Sequence, residues 1–598
     1  GVPRLGEPEQ VAAITAQGLW EHYQRILRES RVEFFYVGSR APEQVAQMLL
    51  KQIPFEGRTP VALPPQSGFH DCPGSHVTEA MDVTQGKLCL GFTTPVTLQS
   101  QDCTAMQLLN QVYGGGMTSK LFLNVREKQS LCYSVSSGYY GAKGILTVAA
   151  GIDSASREQT QQEILRQLED CAAGKITAQE LGDAQQAMRS ALQALHDSPG
   201  AILFHRRPQR QKSHPGAVFA AGQPGGGGGF GADGAICPPS QQLFPHGRRN
   251  PMTKYEYPEL DEVLYRDSLP NGLQIAVVPR RGFEKKIAYL VTGFGSIHTS
   301  FTLDGTEYTV PGGVAHYLEH KMFELPGGRD VSGEFAALGA NVNAFTSYDM
   351  TAYYFSCTQE FDRALRLLLE FVSTPYFTQE SVEREQGIIR QEIDMNLDSP
   401  DSVIFDRLME IMYANHPVRV PILGTEDSIR EITPEILEIC HRAFYHPSRM
   451  LLCVVGDVEP EKVRAAALEV LPDTPAPDAV KTAHWEEAPT PVAAETRCSM
   501  EVAMPTFSLA FKCAPAGVGD AAIRQEMVAD LAAEALFGES SELYLRLYEQ
   551  GLIDSSFGGG FETLEDCAML CAGGDSDHPE QVRDEICREA LTSVPFCG

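Results

Sequence analysis

Residues 314–323 read Val-Ala-His-Tyr-Leu-Glu-His-Lys-Met-Phe, and this stretch decides how the surrounding chain folds and what it can bind. Side chains four positions apart lie on the same side of a helix, so His316 and His320 can share one metal ion. Glu319 stands beside them, where its carboxylate can take a proton from water. This order is the reverse of the more common His-Glu-x-x-His arrangement, and it predicts a catalytic zinc site. The alternative is a pair of surface histidines at helical spacing.

The chain around the motif favours a buried helix. Pro311-Gly312-Gly313 precedes it as a turn, and apolar residues recur at helical spacing from Val314 to Met322. A buried helix holds its metal ligands still. Catalytic zinc also needs a third protein ligand and an open position for water, so the rest of the chain must supply one more donor.

Residues 378–397, TQESVEREQGIIRQEIDMNL, predict the helix that supplies this donor, with Thr378 as its cap. Glu385 and Glu392 fall on the same face as two isoleucines, at positions i, i+3, i+4 and i+7. Carboxylates on a face that points to the core need a partner. We interpret Glu392 as the third ligand and Glu385 as a carboxylate that steadies the ligands from behind. A solvated acidic helix is the alternative.

With these two helices in place, the chain resembles the pitrilysin/insulysin family of zinc metallopeptidases, the inverzincins. The resemblance rests on HYLEH at 316–320, on EREQGIIRQE at 383–392, and on the strand-like pair NVNAFT and TAYYF between 341 and 355. It implies that a substrate peptide pairs with an edge strand, with Asn343 and Ala344 as substrate contacts. On pattern alone, this stretch is equally typical of an ordinary sheet strand.

The chain also contains an internal repeat. Residues 6–38 match residues 424–456 without a gap, and residues 119–133 match residues 541–555. Two related modules in tandem follow from this. We expect an α+β fold in which each module is a mainly antiparallel sheet covered by helices, an arrangement that the resemblance also implies.

The two copies differ at two positions that the resemblance makes important. It implies that Arg126 and Tyr133 bind the substrate backbone and stabilise the tetrahedral intermediate, where cationic and phenolic donors are effective. The equivalent residues of the second copy are Tyr548 and Ser555. A surface arginine next to a half-buried tyrosine is the alternative.

Four segments are expected along the chain. Residues 1–200 resemble the later part of a pitrilysin-like subunit that carries the Arg/Tyr pair, here Arg126 and Tyr133, and residues 201–251 form a linker or junction. Residues 252–475 form the zinc-binding domain, and residues 476–598 form a second pitrilysin-like domain that is truncated. The junction is basic and rich in glycine and proline within a chain of net charge −30, so it cannot form a core. A flexible tether and a nucleic-acid patch are possible functions. We favour an out-of-frame junction between two adjacent genes, because Met252 begins a fresh domain.

Composition predicts a soluble, cytoplasmic protein. Its 15 cysteines show no paired metal spacing, and Cys89, Cys453 and Cys513 lie in apolar runs that are typical of reduced core thiols. No apolar run approaches 18 residues, so we expect no membrane contact, and the acidic charge argues against nucleic acid. Predicted strands include Val32–Val37, and predicted helices include Arg157–Leu168.

The expected function is zinc-dependent hydrolysis of peptides or unfolded segments, with water activated by zinc on His316, His320 and Glu392 and deprotonated by Glu319. The expected partners are a peptide substrate and, in a homo- or heterodimer, a related pitrilysin-like subunit. One alternative is an incomplete or inactive subunit that serves as a partner-binding half. A non-functional fusion of two reading frames is another.

Overall fold

The computed structural model of the chain describes residues 6–30, 32, 34–36, 40–52, 58–61, 74–198, 252–474, 480–564 and 566–592. The described residues form two compact units, one with residues 6–61 and 198, the other with residues 74–197 and 252–592. The predicted linker 201–251 lies outside the described residues, so it stays a prediction.

The helices are α1 Pro8–Ala12, α2 Ala16–Glu29, α3 Pro42–Gln52, α4 Cys103–Gly114, α5 Arg157–Ala172, α6 Ala178–Ala194, α7 Val314–Lys321, α8 Val331–Ala337, α9 Phe361–Ser373, α10 Gln379–Leu397, α11 Pro400–Met412, α12 Glu426–Arg430, α13 Pro434–Phe444, α14 Pro460–Val470, α15 Asp520–Phe537, α16 Glu542–Glu549 and α17 Pro579–Thr592. A π-helix spans Phe122–Glu127.

The strands are β1 Gly86–Thr93, β2 Ser134–Tyr140, β3 Ile145–Ile152, β4 Thr253–Tyr257, β5 Glu262–Ser268, β6 Gln274–Pro279, β7 Lys286–Thr292, β8 Ser300–Leu303, β9 Thr306–Thr309, β10 Glu324–Leu325, β11 Arg329–Asp330, β12 Asn341–Thr346, β13 Thr351–Cys357, β14 Met450–Gly456, β15 Lys481–Thr482, β16 Thr506–Cys513, β17 Gly558–Thr563 and β18 Ala568–Asp575.

The smaller unit carries helix α2, which begins after Thr15, whose hydroxyl accepts a hydrogen bond from the Gly18 N–H. Its apolar side chains Leu19 and Trp20 are exposed. The strand predicted at Val32–Val37 is wrong for the part of that segment that the structure describes, because its described residues form no strand.

A seven-stranded sheet dominates the larger unit, in the order β12-β13-β7-β14-β6-β5-β4. Every neighbouring pair is antiparallel except β14 and β6, which run parallel. The strands β7, β13 and β14 are central and apolar, and helices α7, α9 and α13 contribute buried side chains to the same core. Strand β12 is an edge, with helices α7 and α8 against it.

Two small sheets in the same unit repeat one topology. Strands β1, β3 and β2 lie in that spatial order, and so do β16, β18 and β17, antiparallel in both cases. The predicted fold class, α+β with tandem modules of antiparallel sheet covered by helices, is therefore confirmed. Periodicity correctly predicted helix α5 at Arg157.

The cysteines correct one expectation. Every described cysteine is a free thiol, but Cys89 is exposed and Cys453 and Cys513 are only partly buried. Cys89 lies on the open face of β1, whose residues alternate between half-buried and exposed. Within the described residues, no helix is both long and apolar enough to cross a membrane. The cytoplasmic location stays a prediction.

Candidate metal centre and peptide site

Helix α7 carries the two histidines and is held in place by its N-terminal turn and by contacts along its length. Gly313 precedes it with φ of 89°, and a side chain there would clash with the Leu423 carbonyl oxygen, so only glycine fits. Leu318 is fully buried. The Tyr317 hydroxyl donates a hydrogen bond to the Val382 carbonyl in α10. Packing and this bond fix α7 against the second helix.

Helix α10 begins as predicted. The Thr378 hydroxyl accepts a hydrogen bond from the Ser381 N–H and caps the helix. Ile389 is fully buried and Ile388 is nearly so. The side chains that share this stripe therefore point inward, and Glu392 is one of them.

His316, His320 and Glu392 come together at the contact of these helices, with one donor atom from each within 4.8 Å of the others. The distance from His316 Nε2 to Glu392 Oε2 is 3.5 Å, and from His320 Nε2 to the same oxygen it is 3.4 Å. Two ligands that are each about 2.1 Å from a tetrahedral zinc ion lie about 3.4 Å apart. The spacing of the donors therefore fits zinc.

The polar atoms of this cluster also fit a metal. Among the described residues, the buried Glu392 Oε2 has no hydrogen-bond partner. A buried carboxylate oxygen without a donor is costly unless a cation neutralises it. His320 Nδ1 lies 2.9 Å from Glu385 Oε1, so the other ring nitrogen, Nε2, is the one turned to the shared position. Lys321 Nζ lies 3.9 Å from the other oxygen of Glu385.

The metal-free cluster has distinct protonation states. Burial lowers the pKa of His316 to about 4, with help from the nearby His320 charge. Burial also acts against a charged His320, but its carboxylate neighbours Glu385 and Glu392 outweigh it and raise its pKa to about 10. Burial opposes the ionisation of Glu392, yet the two histidines lower its pKa to about 2. Without metal, His320 is therefore a cation held between two carboxylates.

Glu319 lies beside the donors but is not one of them. Its side chain is buried, and the Thr346 hydroxyl donates a 2.7 Å hydrogen bond to Glu319 Oε2. Burial raises its pKa, and the positive charge of His320 and the Thr346 bond oppose that shift. A buried carboxylate with a raised pKa and one fixed oxygen is suited to carrying a proton near neutral pH.

Arg126 and Tyr133 lie in the same cavity as the metal donors, which has a volume of about 1010 Å³. Arg126 Nε donates a 2.6 Å hydrogen bond to the Tyr133 carbonyl, and its guanidinium lies 4.8 Å from the centre of the Phe122 ring. The Glu392 carboxylate lies near the Tyr133 phenol. Burial, reinforced by the Glu392 charge, raises the pKa of Tyr133, so it stays protonated and can donate.

The predicted substrate contacts Asn343 and Ala344 lie on edge strand β12 and line the cavity. The Asn343 side chain is exposed, and its Oδ1 accepts a 2.9 Å hydrogen bond from the Ala344 N–H. Among the strands that the structure describes, β13 is the only neighbour of β12 in the sheet. Its outer edge is therefore free to pair with an added strand.

Sequence reasoning missed two residues of the cavity. Thr346 orients Glu319, and Lys321 is a buried cation that pairs with Glu324 at 2.9 Å. Thr346 ends strand β12 and shares a face with Ala344, two positions earlier. Alternation along β12 is therefore a signal that could have placed Thr346 beside the motif. Lys321 follows the motif directly, but its position in the sequence does not predict that its side chain is buried.

Two family profiles match the chain. The profile for the peptidase M16 inactive domain matches residues 13–188 and 431–592, and the profile for insulinase, peptidase family M16, matches residues 306–426. The three metal donors fall within the insulinase match, whereas Arg126 and Tyr133 fall within the inactive-domain match.

Individual relatives are similar. The chain is 41% identical over 337 residues to the Bacillus subtilis protein "Uncharacterized zinc protease YmfH", covering 55% of this chain and 78% of the relative. It is 33% identical over 185 residues to the B. subtilis protein "Probable inactive metalloprotease YmfF", covering 31% of this chain but only 43% of the relative. A solved M16-like peptidase from Alicyclobacillus acidocaldarius shares 34% identity and a TM-score of 0.53, over 57% of this chain and 80% of that one.

Proposed function

This chain belongs to peptidase family M16, the insulinase family, and we propose that it is a zinc-dependent endopeptidase that hydrolyses peptides or unfolded segments. One observation carries the proposal. A single cavity is lined by two histidines and a carboxylate with the spacing of zinc ligands, by the buried carboxylate of Glu319, and by the Arg126 and Tyr133 donors.

His316, His320 and Glu392 would hold the metal. Zinc in such a site would polarise a substrate carbonyl and would lower the pKa of water enough for it to be deprotonated near neutral pH. Glu385 has the role of fixing His320, because its hydrogen bond to Nδ1 leaves Nε2 for the metal. The donor set supports the cofactor proposal, as does the name of the relative that is described as a zinc protease.

Glu319 is the group that takes and returns the proton. The Thr346 hydroxyl holds its Oε2, which leaves Oε1 for the attacking water. The raised pKa brings the carboxyl nearer to the working pH of a general base that must later act as an acid to the leaving amine. Glu319 is only 8% exposed, so its carboxylate is poorly solvated.

Arg126 and Tyr133 would act on the substrate from the other wall of the cavity. A protonated phenol and a guanidinium are donors suited to the oxygen that becomes negative when the carbonyl is attacked. The Arg126 guanidinium is already oriented by the Tyr133 carbonyl and stacked on Phe122, so little reorganisation is needed when substrate arrives.

The proposed substrate is an extended peptide that adds a strand to the outer edge of β12 at Asn343 and Ala344. Pairing of this kind uses backbone hydrogen bonds and requires an unfolded segment. We propose that the donors of both walls come from the same chain. A homo- or heterodimer with a related subunit, which the sequence also suggested, is then unnecessary for the chemistry.

The test is zinc content per chain together with cleavage of a quenched fluorescent peptide library, for the wild-type protein and for Glu319→Gln. One zinc ion and cleavage that disappears in Glu319→Gln are expected. One zinc ion without cleavage by the wild-type chain would favour the alternative, an inactive partner-binding subunit. No zinc in either protein would contradict the metal site.

A further inference from the structure

The end of helix α10 is clamped by a segment from the front of the chain. Asp398 is the C-terminal cap of this helix, and its Oδ1 accepts hydrogen bonds from the Thr84 N–H at 2.7 Å and from the Thr84 hydroxyl at 2.5 Å. Its Oδ2 accepts from the Gln85 N–H at 2.6 Å. Three donors from two adjacent residues therefore converge on one carboxylate.

The same two residues also bind backbone groups of α10. The Thr84 hydroxyl lies 2.9 Å from the Asp394 carbonyl oxygen, and the Gln85 side-chain amide donates to the Gln391 carbonyl at 3.3 Å. The Asp394 carbonyl also accepts a hydrogen bond from the Asp398 N–H at 3.2 Å, so the contacts from Thr84 and Gln85 add to the backbone bonds at the helix end. Gln391 is the residue immediately before Glu392. The clamp thus acts on the turn that holds a proposed metal ligand.

A short, hydrogen-bonded route joins the clamp to Tyr133. Gln85 leads directly into β1, whose first residue Gly86 pairs with Ile152 of β3. The neighbouring residue of β3, Gly151, pairs with Ser134 and accepts a 3.1 Å hydrogen bond from the Tyr133 N–H. The Gln85 side chain lies directly above Gly151, where a Cβ would come within 2.6 Å of its Oε1. The sheet that carries Tyr133 is therefore attached to the helix that carries Glu392.

We propose that Asp398 is a positioning residue that sets the Arg126/Tyr133 wall of the cavity in register with the metal-donor wall. It touches neither substrate nor metal, and it acts through Thr84, Gln85 and the β1–β3 sheet. The inference rests on the proposed peptidase function for its kinetic consequence. Its structural content, the coupling of Asp398 to the Tyr133 segment, stands apart from that function.

The chain offers a matched control. Asp197, after helix α6, accepts backbone N–H groups from Glu284 at 2.9 Å and from Lys285 at 2.6 Å. Like Asp398, this carboxylate joins residues 74–197 to residues 252–592 by accepting hydrogen bonds from two successive backbone N–H groups. None of these three residues lines the cavity, and Asp197 does not lie at the end of a ligand helix. Asp197→Ala therefore removes a comparable contact, and we expect it to leave the register at Tyr133 unchanged.

The experiment compares Asp398→Ala, Asp398→Asn and Asp197→Ala in the full chain. Misplacement of catalytic groups by about 1 Å costs up to about a hundredfold in rate, so we expect kcat to fall about tenfold or more in Asp398→Ala. Asp398→Asn keeps one acceptor and should lose less. KM and zinc content should stay at the wild-type values, and Asp197→Ala should keep the wild-type kcat.

A double mutant separates positioning from general loosening. If Asp398 acts through Tyr133, then Asp398→Ala should cost little further kcat in a Tyr133→Phe background. Full additivity would overturn the proposal, and so would an equal loss of kcat in Asp197→Ala.

Hydrogen exchange distinguishes failure of this inference from failure of the proposed function. Asp398→Ala should speed amide exchange in residues 133–140, and Asp197→Ala should not. If the wild-type chain cleaves no peptide, the peptidase proposal fails and this readout alone decides. Unchanged exchange in residues 133–140 would then overturn the clamp as well.

Discussion

The two repeats of the larger unit share a topology but differ in chemistry. Each has a three-stranded sheet with the same strand order. In each, a helix directly follows the first strand of the sheet, α4 after β1 and α15 after β16. Ser119 and Ser541 occupy equivalent positions, and each hydroxyl accepts a hydrogen bond from the N–H three residues later. The local fold is thus determined by features that both copies retain.

The copies diverge one turn further on. The Lys128 N–H donates to the carbonyl five residues back, in a π-helix, whereas the equivalent Gln550 N–H donates four residues back, in an α-helix. The wide turn carries Arg126 into the metal cavity, while its equivalent, Tyr548, is 53% exposed and stacks on Tyr544. Wide turns of this kind are frequent at functional sites. A shared fold therefore says little about activity, which in our proposal depends on the residues that one copy presents to the candidate metal donors.

The largest expected effect sets the scale for this comparison. Glu319→Gln should lower kcat about a thousandfold, since general acid–base catalysis contributes on that order. Zinc content should not change, because Glu319 is not a donor of the cluster. Steady-state cleavage and metal analysis check both. Wild-type kcat in Glu319→Gln would remove the proton carrier from the account.

The next effect compares the repeats directly. Tyr133→Phe removes a donor from the cavity, and loss of one such donor costs about a hundredfold in kcat. Tyr548→Phe removes the same hydroxyl at an exposed position and should leave kcat within about twofold, as surface substitutions usually do. Both substitutions should spare zinc binding. Equal losses in the two variants would mean that the front copy has no special role.

A smaller effect, the release of a proton on zinc binding, concerns only the candidate metal donors His316, His320 and Glu392. His320 has a pKa of about 10 in the metal-free protein, above its ordinary value, so it is protonated at neutral pH and must lose that proton to bind metal. His316 and Glu392 are already unprotonated there. Zinc binding should release about one proton, and apparent affinity should rise about tenfold per pH unit between pH 7 and 9. Calorimetry in buffers of different ionisation enthalpy counts the proton, and Tyr133→Phe should give the same count. Zero release would contradict a charged His320.

The smallest expected effect is an absence of rescue. Tyr548→Arg combined with Ser555→Tyr installs the Arg/Tyr pair in the second copy. Because Tyr548 and Ser555 do not line the cavity, kcat of the Tyr133→Phe protein should not recover beyond about twofold. Recovery in that combined variant, measured with the same peptide, would show that the two copies are interchangeable.

Local parts of this arrangement could be predicted from sequence because they follow from periodicity. Helical spacing puts His316 and His320 on one face, and it puts Glu392 on the buried stripe of α10. The preference of threonine for the first position of a helix correctly predicted that Thr378 caps α10. The repeat gave two modules of one topology. These features depend on neighbours within a few residues or on a second copy of the same pattern.

Other parts could not be predicted, because they depend on contacts between distant segments. No local pattern reports that Tyr133 meets Glu392 or that Thr84 binds Asp398, which is 314 positions away. The parallel pairing of β14 with β6 is likewise a tertiary outcome. Cys89 was misassigned because an apolar run predicts a strand without showing which of its faces is covered.

The central claim is that one chain supplies both walls of the site. The most direct test mixes two impaired proteins, Glu319→Gln with an intact Tyr133 and Tyr133→Phe with an intact Glu319, and measures peptide cleavage against each alone. If the walls meet within a chain, the mixture should be no more active than the sum of its two components. A substantial recovery of the wild-type rate would contradict the account, because it would show that the two walls are supplied by different chains.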